Sequence, residues 1–488
     1  MWTRAVLVAV VAACFVWLFV DKAAQLLGEQ SVNDVIRNAS DEELVAAAWE
    51  TLITGPASRA SRVAVGVNTC VDVVISGVAL LRALGITEGV AQDHEELRSP
   101  EELQEAFQHH MGRGAAAERH YSDRDGFIRV AQVASTLPGA KHYVGGNAAL
   151  IAEKLAKDNN VSVMLSGPVG PKLRQLLDSR IEVPADSHVQ QDEFHIILEY
   201  CSGEKWGKFE TPHASRFIFS HDAANSAMST LEVFVTSLDS FKPDLVVLSG
   251  FHMMEGLGGD ALWESRLEEV VQQLNTIPAK VPIHVELASM TQDGFMEAIL
   301  YQVLPVVASL GLNEQELLFA NLAAGGPFPE LLSWSGIPDV GIACDIVYWL
   351  LETYGFVGDK SRALTRIHFH TLAYHVLATV EGRWANGAAA VVAGARAAAT
   401  QACDALPSQA TGRLELLAPR SFVPSRLDLD LQERVLTIDP RSPVSVWQRG
   451  AVIFYFSPVL VCREPGRTVG LGDAISAEGL LYSQQQQY

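Results

Sequence analysis

The stretch "RTVGLGDAISAEGL", residues 467–480, brackets a leucine with glycines, runs into an aspartate and then opens a helix-like pattern. Gly-x-Gly-Asp followed by small residues predicts a tight turn at a helix start, its backbone N–H groups all pointing one way. Orphan N–H groups and the helix dipole both favour negative charge there. A carboxylate is misplaced in a loop built only to bind an anion. It makes sense if Asp473 takes a proton while a phosphoryl group passes by.

Upstream, short β-branched runs alternate with long amphipathic or Ala-rich stretches from about residue 60. Strands are expected at "RVAVGV" (62–67), "VSVMLSG" (161–167), "DLVVLSG" (244–250), "VPIHVELAS" (281–289) and "TRIHFHTL" (365–372). Helices are expected at "NAALIAEKLA" (147–156), "ALWESRLEEVVQQLNTI" (261–277) and "GFMEAILYQVLPVVASL" (294–310). Such alternation predicts a mostly parallel sheet flanked by helices. Residues 86–140, polar and rich in His, Arg and Glu, and residues 186–222, with "EFHIILEY" and "SRFIFS", break the pattern. They read as excursions that build a small lid. No internal repeat is visible, and 406–430 reads as a surface loop.

The 488 residues, 49% hydrophobic and 19% charged, describe a globular chain with a sizeable core. A net charge of −21 without a Lys/Arg cluster argues against a nucleic-acid partner. Phosphate ligands need only a local positive pocket. After Arg4 the apolar run "AVLVAVVAACFVWLFV" (5–20) is short for a spanning helix and fits a secretory leader. Residues 1–22 therefore read as a signal peptide or N-terminal anchor that sends the chain to the endoplasmic reticulum or secretory pathway. Residues 23–40 read as a linker. Six cysteines, one of them in the leader, leave room for one or two bridges among Cys70, Cys201, Cys344, Cys403 and Cys462.

Several short stretches carry polar groups at strand or helix ends. In "HVELAS", His284 and Glu286 are two apart on a strand and face the same way. In "LNEQEL", Asn313 and Glu316 have the spacing of a capping box. In "VGGNAALIAEKL", Asn147 either caps a helix or meets a ligand over the close-approaching glycines. "GVNTCVD" sets Asn68 and Asp72 just past a strand, either as a turn or as sugar-hydroxyl partners. "GLGGD" (256–260) lacks the spacing of a dinucleotide fingerprint and reads as a loop.

Taken in order, GVNTCVD, GAAAERHYSD, VGGNAALIAEKLA, EFHIILEY, SRFIFSHD, LSGFHMMEG, HVELASMT, LGLNEQEL, RIHFHTLAYH and TVGLGDAIS resemble the ADP-dependent glucokinases of metazoan type. The resemblance runs from about residue 41 to 488. It implies a ribokinase-like three-layer α/β sandwich, with a central mostly parallel sheet and a small β-rich lid domain. It implies transfer of the β-phosphoryl group of ADP to the 6-hydroxyl of glucose, giving glucose 6-phosphate and AMP, by a monomer that meets a membrane only through its N-terminal segment. Carried over by position, Asp473 is the base and Gly470, Leu471 and Gly472 supply the amide turn. Arg216 meets the donor phosphates, although Ser215 stands where the family often has Asn. Glu286, Glu316 and Asp473 hold Mg²⁺, partly through water. Asn68, Asp72, Glu118, Gly146, Asn147 and His195 contact the sugar, while His370 and His375 are candidates for the adenine pocket. An ATP-dependent sugar kinase of the same superfamily and a non-catalytic sugar or nucleotide sensor are the alternatives.

Overall fold

In a computed structural model, the described residues are 39–54, 60–212, 214–257, 260–355, 363–410, 412–464 and 470–486. The expected leader and residues 23–38 of the expected linker lie outside them, as does part of the "GLGGD" loop.

A nine-stranded sheet forms the centre. Across it run Ser445–Arg449, Val452–Pro458, Tyr374–Val380, Arg366–His370, Ser309–Asn313, Ile283–Glu286, Leu245–Leu248, Arg62–Gly66 and Ser162–Ser166. From Arg366–His370 to Ser162–Ser166 every pairing is parallel. The remaining three strands add antiparallel. The parallel strands are buried on both faces because helices cover both; most of their side chains are apolar, with His284, Glu286, Arg366 and His368 among the buried polar exceptions. Alternation sorts their side chains: Val63, Val65 and Val247 enter one core, whereas Ala64, Val246 and Leu248 enter the other. The first core is closed by helices Asn147–Leu155, Gly387–Cys403 and Leu471–Tyr482. The second is closed by Leu231–Phe241 and Val340–Tyr354. The result is three layers, as expected.

The Ala-rich helix Gly387–Cys403 puts almost no side-chain bulk between itself and its neighbours, so Leu471–Tyr482 lies close against it. A Cβ on Gly394 would stand 2.8 Å from His368 Cε1, and one on Gly479 3.0 Å from the same atom. A disulfide ties the last residue of this helix, Cys403, to Cys462 on strand Leu460–Cys462. Cys70, Cys201 and Cys344 are free thiols.

The second sheet has six strands: Glu96–Leu97, Ala117–Tyr121, Ser215–Ser220, Phe194–Tyr200, Cys70–Ser76 and Lys141–Gly145. It draws on both expected excursions and, in addition, on Cys70–Ser76 and Lys141–Gly145. The stretch 294–310 also differs from its expected single helix. It is α-helical over Asp293–Ala298 and π-helical over Ile299–Val303. After a 3₁₀ turn at Leu304–Val306 it becomes the central strand Ser309–Asn313. Pro305 lacks an N–H and ends the helix, so the apolar residues behind it are free to pair in the sheet.

Candidate functional site

The site lies past the C-terminal ends of the parallel strands, the usual ligand edge of such sheets, where the small sheet faces the large one. A cavity of about 280 Å³ is lined by Asn68, Asp72, Glu118, Gly146, Asn147, His195, Arg216, Gly470 and Asp473, with His252 and Ser289 among the rest. Every residue expected to contact the sugar is therefore in one place, with Asp473 and Arg216. A larger cavity, about 730 Å³, opens around Lys242, Lys280 and Trp384 at the opposite strand ends and holds none of them.

Asp473 sits in the first turn of helix Leu471–Tyr482 and is 5% exposed. Gly470, at the N-cap, is left-handed with φ 70°, and no side chain caps the helix. That leaves the first-turn N–H groups for a ligand. Asn147 Nδ2 donates to Asp473 Oδ1 at 3.0 Å. Asn147 is thus no N-cap; Gly146 holds that position, with φ 80°. A Cβ there would lie 2.6 Å from the Asn68 carbonyl oxygen, so only glycine fits. Asn68 is 2% exposed and its Oδ1 has no protein partner. Buried polar atoms are rarely left so, and a ligand hydroxyl would satisfy it. Burial, then the nearby Glu286 charge, push the Asp473 carboxyl up to about 7.

Glu286 lies just behind, on strand Ile283–Glu286. It accepts from Ser476 Oγ at 2.6 Å and pairs with His284 Nε2 at 3.1 Å and His370 Nε2 at 3.4 Å. Burial alone would raise its pKa; the hydrogen bonds from His284 and His370 outweigh it and bring the carboxyl down to about 2. Glu316 accepts from Asn313 N at 2.8 Å and Asn313 Nδ2 at 2.9 Å, completing a capping box. Burial pushes it up to about 7.

These carboxylates suit a hard cation in one way. Glu286, Glu316 and Asp473 are not among the three-ligand groups whose atoms lie within 4.8 Å of one another among the described residues. Protein donors already engage both oxygens of Glu286 and of Glu316. Such carboxylates fit Mg²⁺ that keeps its waters and is held through them.

The adenine expectation fares differently. His375 is fully buried, and both its ring nitrogens lack a hydrogen-bond partner. It pairs directly with His370 in the sheet, and His370 turns toward Glu286. Strand Tyr374–Val380 is covered on both faces, which keeps His375 from any surface where a base could stack. His252, whose Nδ1 is buried without a partner, is a cavity residue that the sequence reading passed over. Its signal was present: "LSGFHMMEG" follows a parallel strand, and Gly250 turns the chain with φ 99°.

A profile of the ADP-specific phosphofructokinase/glucokinase conserved region matches residues 61–482. The chain belongs to this family. It is a kinase, and its relatives within the family are extensive. An "ADP-dependent glucokinase" of Bos taurus is 57% identical over 446 residues, 91% of this chain and 89% of the relative. A "Probable ADP-dependent glucokinase" of Caenorhabditis elegans is 38% identical, covering 89% and 88%. Among solved structures, an "ADP-dependent kinase complex with fructose-6-phosphate and ADPbetaS" superposes with a TM-score of 0.62 at 18% identity, covering 90% of this chain and 97% of that one. The family fold thus extends over almost the whole described chain.

Proposed function

We propose that this kinase transfers the β-phosphoryl group of ADP to the 6-hydroxyl of D-glucose, giving glucose 6-phosphate and AMP. The observation that carries the reading is the buried Asp473 carboxylate. It opens from a glycine-led helix start onto a cavity of hydroxyl-binding side chains. Asp473, pushed up to about 7, is poised to take the hydroxyl proton near neutral pH. Asn147 fixes the carboxylate's orientation. The N–H groups of the turn at Gly470, Leu471 and Gly472 meet negative charge on the transferring group, and Arg216 meets the donor phosphates with its fork of donors. Asn68, Asp72, Glu118, Gly146, Asn147 and His195 hold the sugar, and closure of the small sheet excludes competing water.

Glu286 and Glu316 would hold Mg²⁺ through water, and the bound ion would supply charge neutralisation on the phosphates. An unphosphorylated acceptor is favoured over a sugar phosphate by charge. Asp72, Glu118 and Asp473 line the cavity against the single guanidinium of Arg216, which is committed to the donor. The name of the Bos taurus relative supports the same donor and acceptor.

The test is a coupled assay for the phosphorylated sugar, with ADP or ATP as sole donor and glucose or fructose 6-phosphate as acceptor. Faster turnover with ATP, or with fructose 6-phosphate, overturns the assignment. We also propose that the enzyme acts as a monomer and enters the endoplasmic reticulum through residues 1–22, its membrane contact confined to that segment. The Cys403–Cys462 disulfide supports an oxidising compartment.

A further inference from the structure

Behind the cavity wall formed by Asp72 and His195 lies the buried thiol of Cys70, and three groups of different chemistry converge there. Cys70 and Asp72 are two apart on strand Cys70–Ser76, so they leave the same face of the small sheet. His195 is the direct partner of Asp72 on the neighbouring parallel strand. A ligand atom from each lies within 4.8 Å of the other two. Cys70 Sγ and Asp72 Oδ1 are 3.5 Å apart. With Zn–S about 2.3 Å, Zn–O about 2.0 Å and a tetrahedral angle, two ligands of one zinc ion stand roughly 3.5 Å from each other. For this pair the spacing matches before any atom moves.

The surroundings are those of a ligating histidine. His195 Nε2 is held at 3.0 Å by Asp222 Oδ2, and the ring also hydrogen-bonds the Cys70 thiol. Asp222 is itself fixed by Asn225, through N at 3.0 Å and Nδ2 at 2.6 Å. A carboxylate behind the ring sets its orientation and raises its basicity toward a metal. Burial, then Asp222, pushes the neighbouring Glu193 carboxyl up to about 7. The contrast is the surface group Asp93, His109 and His110, which also has three ligand atoms in range. There Arg119 Nη2 lies 2.9 Å from both oxygens of Asp93, so the cation's place is already taken.

We propose that Cys70, Asp72 and His195 form a site for a thiophilic divalent cation, zinc, whose fourth position opens into the sugar cavity, and that the ion and the sugar exclude each other. A thiolate selects zinc over magnesium, which prefers oxygen. Binding releases two protons to solvent, one from the Cys70 thiol and one from the ligating nitrogen of His195, whose pKa is raised against burial by Cys70 and Asp222 beside it. Burial has pushed that thiol up to about 12, so without the ion it stays protonated. Asp72 and His195 cannot serve a metal and the sugar hydroxyls at once. The exclusion, though not the site, rests on the sugar reading above.

Cobalt(II) is the probe, added to the full chain without nucleotide. The expected result is one Co²⁺ per chain with thiolate-to-cobalt absorption in the near ultraviolet, displaced by Zn²⁺. It is absent in Cys70→Ala and Cys70→Ser, both of which keep at least half the wild-type kcat. Glucose should raise the apparent Kd for Co²⁺ at least tenfold. No thiolate absorption overturns the site, and so does undiminished absorption in Cys70→Ala, for which the exposed thiol of Cys201 would be the source. Cys70-dependent absorption that glucose leaves unchanged supports the site and overturns the sugar's placement on Asp72 and His195.

Discussion

Replacing Asp473 with asparagine should separate stability from activity in opposite directions. Asparagine keeps the size of aspartate, and its carboxamide oxygen can still accept from Asn147 Nδ2, now at 3.0 Å. It cannot take a proton, so kcat should fall by about 10²–10⁴-fold, the usual worth of a general base. Stability should rise. The native carboxyl is raised from 3.8 to about 7, so the folded state holds its proton more tightly than the unfolded chain. Between those two pH values the penalty for ionising it in the fold accumulates, and above pH 7 it is complete. About three pH units at 1.36 kcal/mol each give about 4 kcal/mol, which the neutral asparagine removes. For a chain of this length the unfolding entropy is roughly 1 kcal/mol per degree, so Tm at pH 8 should rise by about 4 °C. At pH 4 the two proteins should unfold together. Steady-state kinetics and thermal unfolding in chelator, at pH 8 and pH 4, measure both halves. If kcat stays above about a tenth of wild type, Asp473 is not the base. If Tm falls at pH 8, the carboxylate is a net stabiliser and the electrostatic account is wrong.

Glu316→Gln should raise the Mg²⁺ concentration for half-maximal activity and leave Tm at pH 8 nearly unchanged, because removing the ionisation penalty of a carboxyl raised to about 7 is offset by losing the acceptor for Asn313 Nδ2; a lower Tm with unchanged metal dependence would leave Glu316 only a cap. Gly146→Ala combines a backbone region costing about 1–3 kcal/mol with overpacking of about 1–3 kcal/mol. A Tm and sugar KM equal to wild type would refute the close approach seen against Asn68. Cys403→Ser should cost about 4 kcal/mol in denaturant unfolding for a sequence separation of 59, and a loss under 1 kcal/mol would show that the bridge constrains little. A chain lacking residues 1–22 should be active but cytosolic on fractionation, and an unchanged distribution would refute the leader reading.

Much of the fold was legible because its strands are short, β-branched and regularly spaced. "DLVVLSG" and "TRIHFHTL" became Leu245–Leu248 and Arg366–His370. The misreading at 294–310 has a physical cause. An apolar run carries no period that separates a buried strand from a buried helix, and Pro305 was the boundary. Cys70–Ser76 was hidden because Asp72 and its neighbours look like a turn when read locally. Only pairing with Phe194–Tyr200 and Lys141–Gly145 makes them a strand. In the site, Asn313 and Glu316 satisfied a local rule that was true, since the capping box is present. Whether the same carboxylate also serves an ion is a question local spacing cannot answer. The burial of His375 depends on Val452–Pro458 lying beside its strand, more than 70 residues on.

The bond between Asn147 and Asp473 joins residues 326 apart. At about 5–20 residues per second, a ribosome takes roughly 15–65 s to cover that interval. Once Ser289 has been made, the nascent chain carries every lining residue of the cavity except Gly470 and Asp473, and so has no base. It also holds the helix Asn147–Leu155 without the helix Leu471–Tyr482 that later packs beside it in the same core. Phosphoryl transfer is thus withheld from every incomplete chain, and an apolar face stays uncovered for tens of seconds. The last helix serves as a proof of completion, and until it docks the emerging protein is a client for chaperones rather than a catalyst.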